Sequence, residues 1–123
     1  MKLISKLIDF LRSLPSTYDD PERQFVVEVT SVDEIICRPP REPEQRIRME
    51  DLGAVYVETR DCGPAWDVWW LLVDKSDVIT VVYPLNATGS DDVLARLERL
   101  PGFQVNGMNS SANARHLCWQ LAT

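Results

Sequence analysis

The sequence predicts an α+β protein: an antiparallel sheet or partly closed barrel of about six strands, with an amphipathic helix at the N-terminus and a second helix in the C-terminal half. Three observations predict it. Leu3, Ile4, Leu7, Ile8, Leu11 and Leu14 recur at helical spacing. Between residues 25 and 84, short runs of β-branched and aromatic residues are separated by clusters of Pro, Gly, Asp and Ser. Finally, "SDDVLARLERLPG" (90–102) joins an acid pair to an apolar stripe and a Pro-Gly stop. With 123 residues there is length for a single domain spanning 1–123.

Taken in order, the first helix covers 1–14, with Lys2, Ser5, Lys6, Asp9, Arg12 and Ser13 on its polar side and Pro15 ending it. Covering an exposed sheet face is its expected role. "STYDDPE" is a turn-rich connector. "FVVEV" (25–29) and "DEIICR" (33–38) read as tightly joined strands, "RPPREPE" as a Pro-rich loop, and 45–48 and "LGAVYVETR" (52–60) as two more strands. "DVWWLLVDKSDVITVVYP" (67–84) is a hairpin turning at Lys75-Ser76. In its first strand Asp67, Trp69, Leu71 and Val73 share one face and Val68, Trp70 and Leu72 the other. Both faces are apolar, which predicts a mid-sheet position with both sides covered.

Ser90 is the expected N-cap of a helix over 90–100, with Val93, Leu94, Leu97 and Leu100 as its buried stripe. A short helical turn near 104–109 and a last strand at 115–121 finish the chain. In that strand alternation puts His116 and Cys118 on one face and Leu117 and Trp119 on the other.

Composition narrows the function. A hydrophobic fraction of 45% with 26% charged residues is that of a globular chain and excludes a disordered one. The net charge is −6, and residues 61–99 carry most of the excess: Asp61, Asp67, Asp74, Asp77, Asp91, Asp92 and Glu98 against Lys75, Arg96 and Arg99. No cationic cluster exists to neutralise phosphates, which argues against direct nucleic-acid binding and for a basic partner. Three widely spaced cysteines (37, 62, 118) suit reduced thiols in the cytoplasm. Asp9 and Arg12 break any signal-peptide core, and no run is long enough to span a membrane. In that setting the Asn86-Ala-Thr88 sequon carries no sugar.

For each chemical motif the plain structural reading outweighs the catalytic one. His116 and Cys118 stand about 7 Å apart on a regular strand, too far to form a thiol–imidazole pair. Cys37, Cys62, Cys118 and His116 lack the close ligand spacing of structural zinc. The aspartates form no compact pair for acid–base or magnesium chemistry, and Asp74 and Asp77 flank a turn where Asp is favoured. Arg38, Arg41, Arg46 and Arg48 are interleaved with Glu42 and Glu44. The expectation is a non-enzyme without metal or cofactor. Tryptophan is in excess, at 66, 69, 70 and 119; Trp70 and Trp119 read as core, and Trp66, in the loop "RDCGPAWD", as an interface anchor.

The segments "EDLGAVYVET", "YPLNATGSDDVLARLERLPGF" and "ANARHLCW", in that order over residues 50–119, carry ATG, RL..LPGF and N.R..LCW signatures. In these the chain resembles a group of small bacterial proteins, some similar to immunity proteins encoded beside contact-dependent growth-inhibition or other polymorphic toxins. His116 departs from the pattern, which has an aromatic there. The resemblance implies no catalytic residues. It implies a non-enzymatic inhibitor of a cognate toxin, expected to be a basic nuclease whose groove is covered by an acidic surface. The residues expected to make that contact are Asp61, Trp66, Asp67, Asp74, Asp77, Asp91 and Asp92, with Asp19, Asp20 and Glu22 as a second patch. The order of elements is also similar to pleckstrin-homology (PH)-like domains, which implies as alternative a stand-alone module binding a protein or lipid, with Arg38, Arg41, Arg46 and Arg48 as its candidate pocket.

Overall fold

The computed structural model describes residues 21–62, 65–108, 110 and 113–122, and at 61, 62, 65 and 66 the backbone alone. The helix expected over 1–14, and Asp19 and Asp20, lie outside these residues. Seven strands form two antiparallel sheets, with no closed barrel among the described residues. The first sheet has the order β1 (Val26–Val29), β2 (Glu34–Arg38), β3 (Gln45–Arg48). The second has the order β6-β5-β4-β7, from β4 (Leu52–Cys62), β5 (Ala65–Asp74), β6 (Ile79–Pro84) and β7 (Ala114–Gln120). Helix α1 (Ser90–Leu97) lies between β6 and β7 in sequence.

The core is built around β5. Trp69, Trp70, Leu71, Leu72 and Val73 are all at most 2% exposed, so the strand is buried on both faces. Trp69 meets Phe25, just before β1, edge-to-face with ring centroids 5.6 Å apart. Trp70, on the opposite face, stacks on Phe103, beyond α1, at 6.3 Å. The first sheet thus covers one side, and the chain that follows α1 covers the other. β5 is an inner strand as its pattern predicts, whereas β6 is the edge of its sheet.

Four local expectations are corrected. Gly89, in the left-handed conformation (φ 88°), is the N-cap of α1; Ser90 is its first helical residue and donates its hydroxyl to Leu85 O at 3.1 Å. A Cβ at Gly89 would collide with the Val27 carbonyl oxygen, because this turn pairs with β1. The helix ends at Leu97, since the next N–H groups tighten to i→i+3 bonds (Arg99 to Arg96 O, Leu100 to Leu97 O) before Pro101. At 104–107 the chain is not helical, and a single turn closed by Ser110 N–H on Gly107 O stands there instead. In β7 a bulge breaks the alternation: Tyr56 pairs with Leu117 but Val55 with Trp119, so Cys118 and Trp119 are both buried while Leu117 is exposed.

The helix is pinned to the first sheet by Arg96, whose Nε and Nη2 donate to Asp33 Oδ1 and Oδ2 at 2.7 and 2.8 Å. This two-point bond holds the Asp33 carboxyl below its ordinary value, against a smaller opposing effect of desolvation.

Gly102 has φ 80° but open space around it, so Gly102→Ala costs about 1 kcal/mol of backbone strain. Gly89→Ala adds the collision and costs about 3 kcal/mol or more in urea unfolding. Asp33, at φ 61°, tolerates Asn. Its depressed carboxyl contributes stability that is complete above the unfolded value of about 3.9 and lost as pH falls through the lower folded value. Asp33→Asn therefore lowers the urea midpoint at pH 6 to 7, and the gap from wild type narrows below about pH 4.

Candidate functional site

The expected contact residues fall into two groups at opposite ends of β5. Asp67 lies near the start of that strand, paired across to Arg60, and the Asp61↔Trp66 backbone pair lies one step further out. This corrects the reading of "RDCGPAWD" as a loop, since the strand pairing continues to Cys62↔Ala65. Leu85 N–H donates to Val68 O at 2.9 Å, which brings the loop leading into α1 back to this end. Asp91 and Asp92 follow in the first turn of α1, both exposed and without an ion pair among the described residues. Beside them is a polar hollow of about 340 Å³, bounded by Arg23, the 85–90 loop, Asp91 and Asp92.

Asp74 and Asp77 stand seven or more residues away along β5, about 23 Å at the usual strand rise. Asp74 Oδ1 accepts the N–H groups of Ser76 and Val78 at 2.8 and 3.0 Å, which makes the carboxylate the internal tie of the β5–β6 turn. Asp77, exposed at φ 65°, is part of the same turn. The structure therefore brings Asp61, Trp66, Asp67, Asp91 and Asp92 to one end and separates Asp74 and Asp77 from them.

The cations are largely neutralised within the chain. Arg38 pairs with Glu28 and Glu44, Arg46 with Glu44 and Glu34, and Arg48 with Glu50. Glu58 is 7% exposed and holds two guanidinium groups, Arg60 on Oε2 and Arg115 on Oε1, each at 3.3 Å. Arg115 also lies over the Tyr56 ring at 5.6 Å. This cluster was not among the candidate sites expected from the sequence; its signal there was the alternating placement of Tyr56, Glu58 and Arg60 in one strand.

The thiol and imidazole do not meet. His116 Nε2 lies 3.3 Å from Thr59 Oγ1, and its ring rests where a side chain on Gly107 would have to go. The Cys118 thiol points instead at the carbonyls of Asn106 and His116, 3.9 Å from each. Burial raises its pKa, a shift that backbone hydrogen bonds only partly offset. Cys37 is fully buried against Val82 O, and burial pushes its thiol up to about 12. Among the described residues, no three His, Cys, Asp or Glu side chains are grouped to hold a metal ion. No described helix is long and apolar enough to cross a membrane.

No protein-family profile, curated protein or solved structure matches the chain. The site is accordingly defined by its own geometry, as an acidic rim at one end of a two-sheet protein.

Cys37 and Cys118 are expected to stay unmodified by a maleimide reagent at pH 7.5 under native conditions and to react fully in urea, as read by mass spectrometry of their separate peptides. Rapid native labelling of Cys118 would contradict the buried-thiol assignment.

Proposed function

We propose that this protein is a non-enzymatic, cytoplasmic immunity protein that binds a cognate bacterial toxin, a basic nuclease, and covers its substrate groove with the acidic rim. The supporting observation is charge placement: Asp91 and Asp92 are exposed and without ion pairs among the described residues, at the end of the molecule where β5 begins, while Arg38, Arg46, Arg48, Arg60, Arg96 and Arg115 are tied to carboxylates. A nuclease groove is cationic because it must hold phosphates, and a rim of carboxylates complements it and steers association. Trp66, placed by strand register at the outer end of the same hairpin, supplies the aromatic anchor.

Asp74 and Asp77 do not belong to this contact set, because they serve a turn at the far end of β5. The alternative, a stand-alone PH-like protein- or lipid-binding module, would need an anion pocket on Arg38, Arg41, Arg46 and Arg48. The ion pairs on Arg38, Arg46 and Arg48 weigh against it.

The test is co-expression with the product of the neighbouring upstream gene, followed by purification of the complex. The proposal expects rescue of growth and a stable complex whose association rate at low salt falls about tenfold in an Asp91→Asn/Asp92→Asn variant. It expects Asp77→Asn to associate within twofold of wild type. A harmless neighbour that forms no complex would overturn the reading.

A further inference from the structure

Beyond α1 the chain turns back along the outer edge of β7. Gln104 N–H donates to Cys118 O and Asn106 Nδ2 to Leu117 O, both at 2.9 Å, and the Cys118 thiol points at Asn106 O. Phe103, at the head of the same segment, stacks on Trp70. Among the described residues the Asn106 side chain makes this one hydrogen bond, and the residue is exposed.

Asn106 is followed by Gly107, and the fold uses both. Asn106 ties the segment to β7, while a Cβ at Gly107 would run into the His116 ring, at a φ of 81° that other residues rarely adopt. A glycine leaves the approach to the preceding side chain open. Among the described residues the Gly107 N–H donates to nothing, so no hydrogen bond holds this nitrogen back. Asn86 differs on both counts. Ala87 follows it, buried at 4% exposure, and Ala87 N–H is tied to Pro84 O at 3.1 Å.

We propose that Asn106-Gly107 is a self-modification site, at which the asparagine deamidates in the folded protein and the product releases residues 104–107 from β7. Gly107 N gives up its proton to solvent base and attacks Asn106 Cγ; the N–Cγ bond forms, the Cγ–Nδ2 bond breaks, and ammonia leaves. One water then opens the cyclic imide, at Cγ to give aspartate or at the backbone carbonyl carbon to give isoaspartate. No oxidant or reductant enters, and the net change is OH for NH2. The bond to Leu117 O opposes the first step, but one exposed hydrogen bond favours the tied geometry by roughly tenfold at most, which slows the reaction without stopping it. The product carboxylate has no proton to donate and sets a negative charge against the Leu117 carbonyl, so the tie becomes a repulsion. Cys118, whose thiol faces Asn106 O, is the group that the detached segment uncovers. None of this depends on the toxin reading.

The test ages the full-length protein at 37 °C and pH 8.5 and reads its peptides by mass spectrometry for aspartate and isoaspartate. The proposal expects conversion at Asn106 to be about tenfold or more faster than at Asn86, whose neighbouring N–H is tied. It expects no conversion in Asn106→Gln, whose longer side chain does not close the same ring. Native maleimide labelling of Cys118 is expected to quicken about tenfold in Asn106→Asp and in aged wild type, and not to change when Asn106→Gln is aged. Asn106 intact in the folded protein after a time that converts it in the urea-unfolded chain, or Asn86 converting as fast, would overturn the proposal. Conversion that leaves Cys118 labelling unchanged would overturn it too. Should Asn106→Asp not fold, aged wild type against aged Asn106→Gln decides.

Discussion

The rest of the structure depends on burying both faces of one strand. From Trp69 to Val73 no residue of β5 is more than 2% exposed, and such a strand exists only if something covers each side. Full burial of each large side chain contributes about 1.5–3 kcal/mol, so leaving either face open would forfeit several such terms. The two covers are chemically parallel: Phe25 packs against Trp69, and Phe103 against Trp70. Both are carried by segments that other contacts fix in place. Phe25 is held by its backbone bond to Thr88 and Phe103 by its bond to Leu100 O. Trp119 closes the second side, its indole N–H donating to Pro101 O at 3.0 Å.

That constraint explains which parts of the fold were legible in the sequence. Residues 67–84 are apolar on both faces, and this alone located the inner strand of the larger sheet. The four-residue strand at 45–48 was legible because Ile47 is the single apolar residue in "QRIR", a minimal half-buried pattern. What the sequence did not disclose depends on contacts between distant segments. Gly89 displaces Ser90 as the cap because β1 passes too close for a side chain, and Val27 is 62 residues away in sequence. Trp119 leaves the face of Leu117 because a bulge opposite Val55 and Tyr56 adds one residue to β7, which alternation cannot foresee. Phe103 was legible only as part of a helix stop, and its place on Trp70 is purely tertiary.

The candidate site shows the same division. The excess of acid in the middle of the chain is plain from the sequence, but charge counted along a chain does not say which residues share a surface. A strand of ten residues carries its ends about 30 Å apart. Asp67 and Asp74, close in sequence, therefore serve different ends of the molecule, while Asp91 returns to the end of Asp67 through the loop bonded at Val68. Partner choice among the arginines was equally hidden. Their interleaving with glutamates was visible, and so in principle were the local pairs Arg46–Glu44 and Arg48–Glu50, whereas the pairs Arg38–Glu28 and Arg46–Glu34 depend on β1, β2 and β3 lying side by side.

The central claim is that the working surface is the acidic rim at the Asp67 end of β5, and that it acts by binding. The most direct measurement is amide hydrogen exchange of this protein with and without the purified product of the neighbouring gene. The account expects protection concentrated at the outer end of the β4–β5 hairpin and in residues 85–92, with the 74–78 turn unchanged. Protection centred on the 74–78 turn, or no change anywhere at concentrations where the two proteins are mixed in excess, would contradict it.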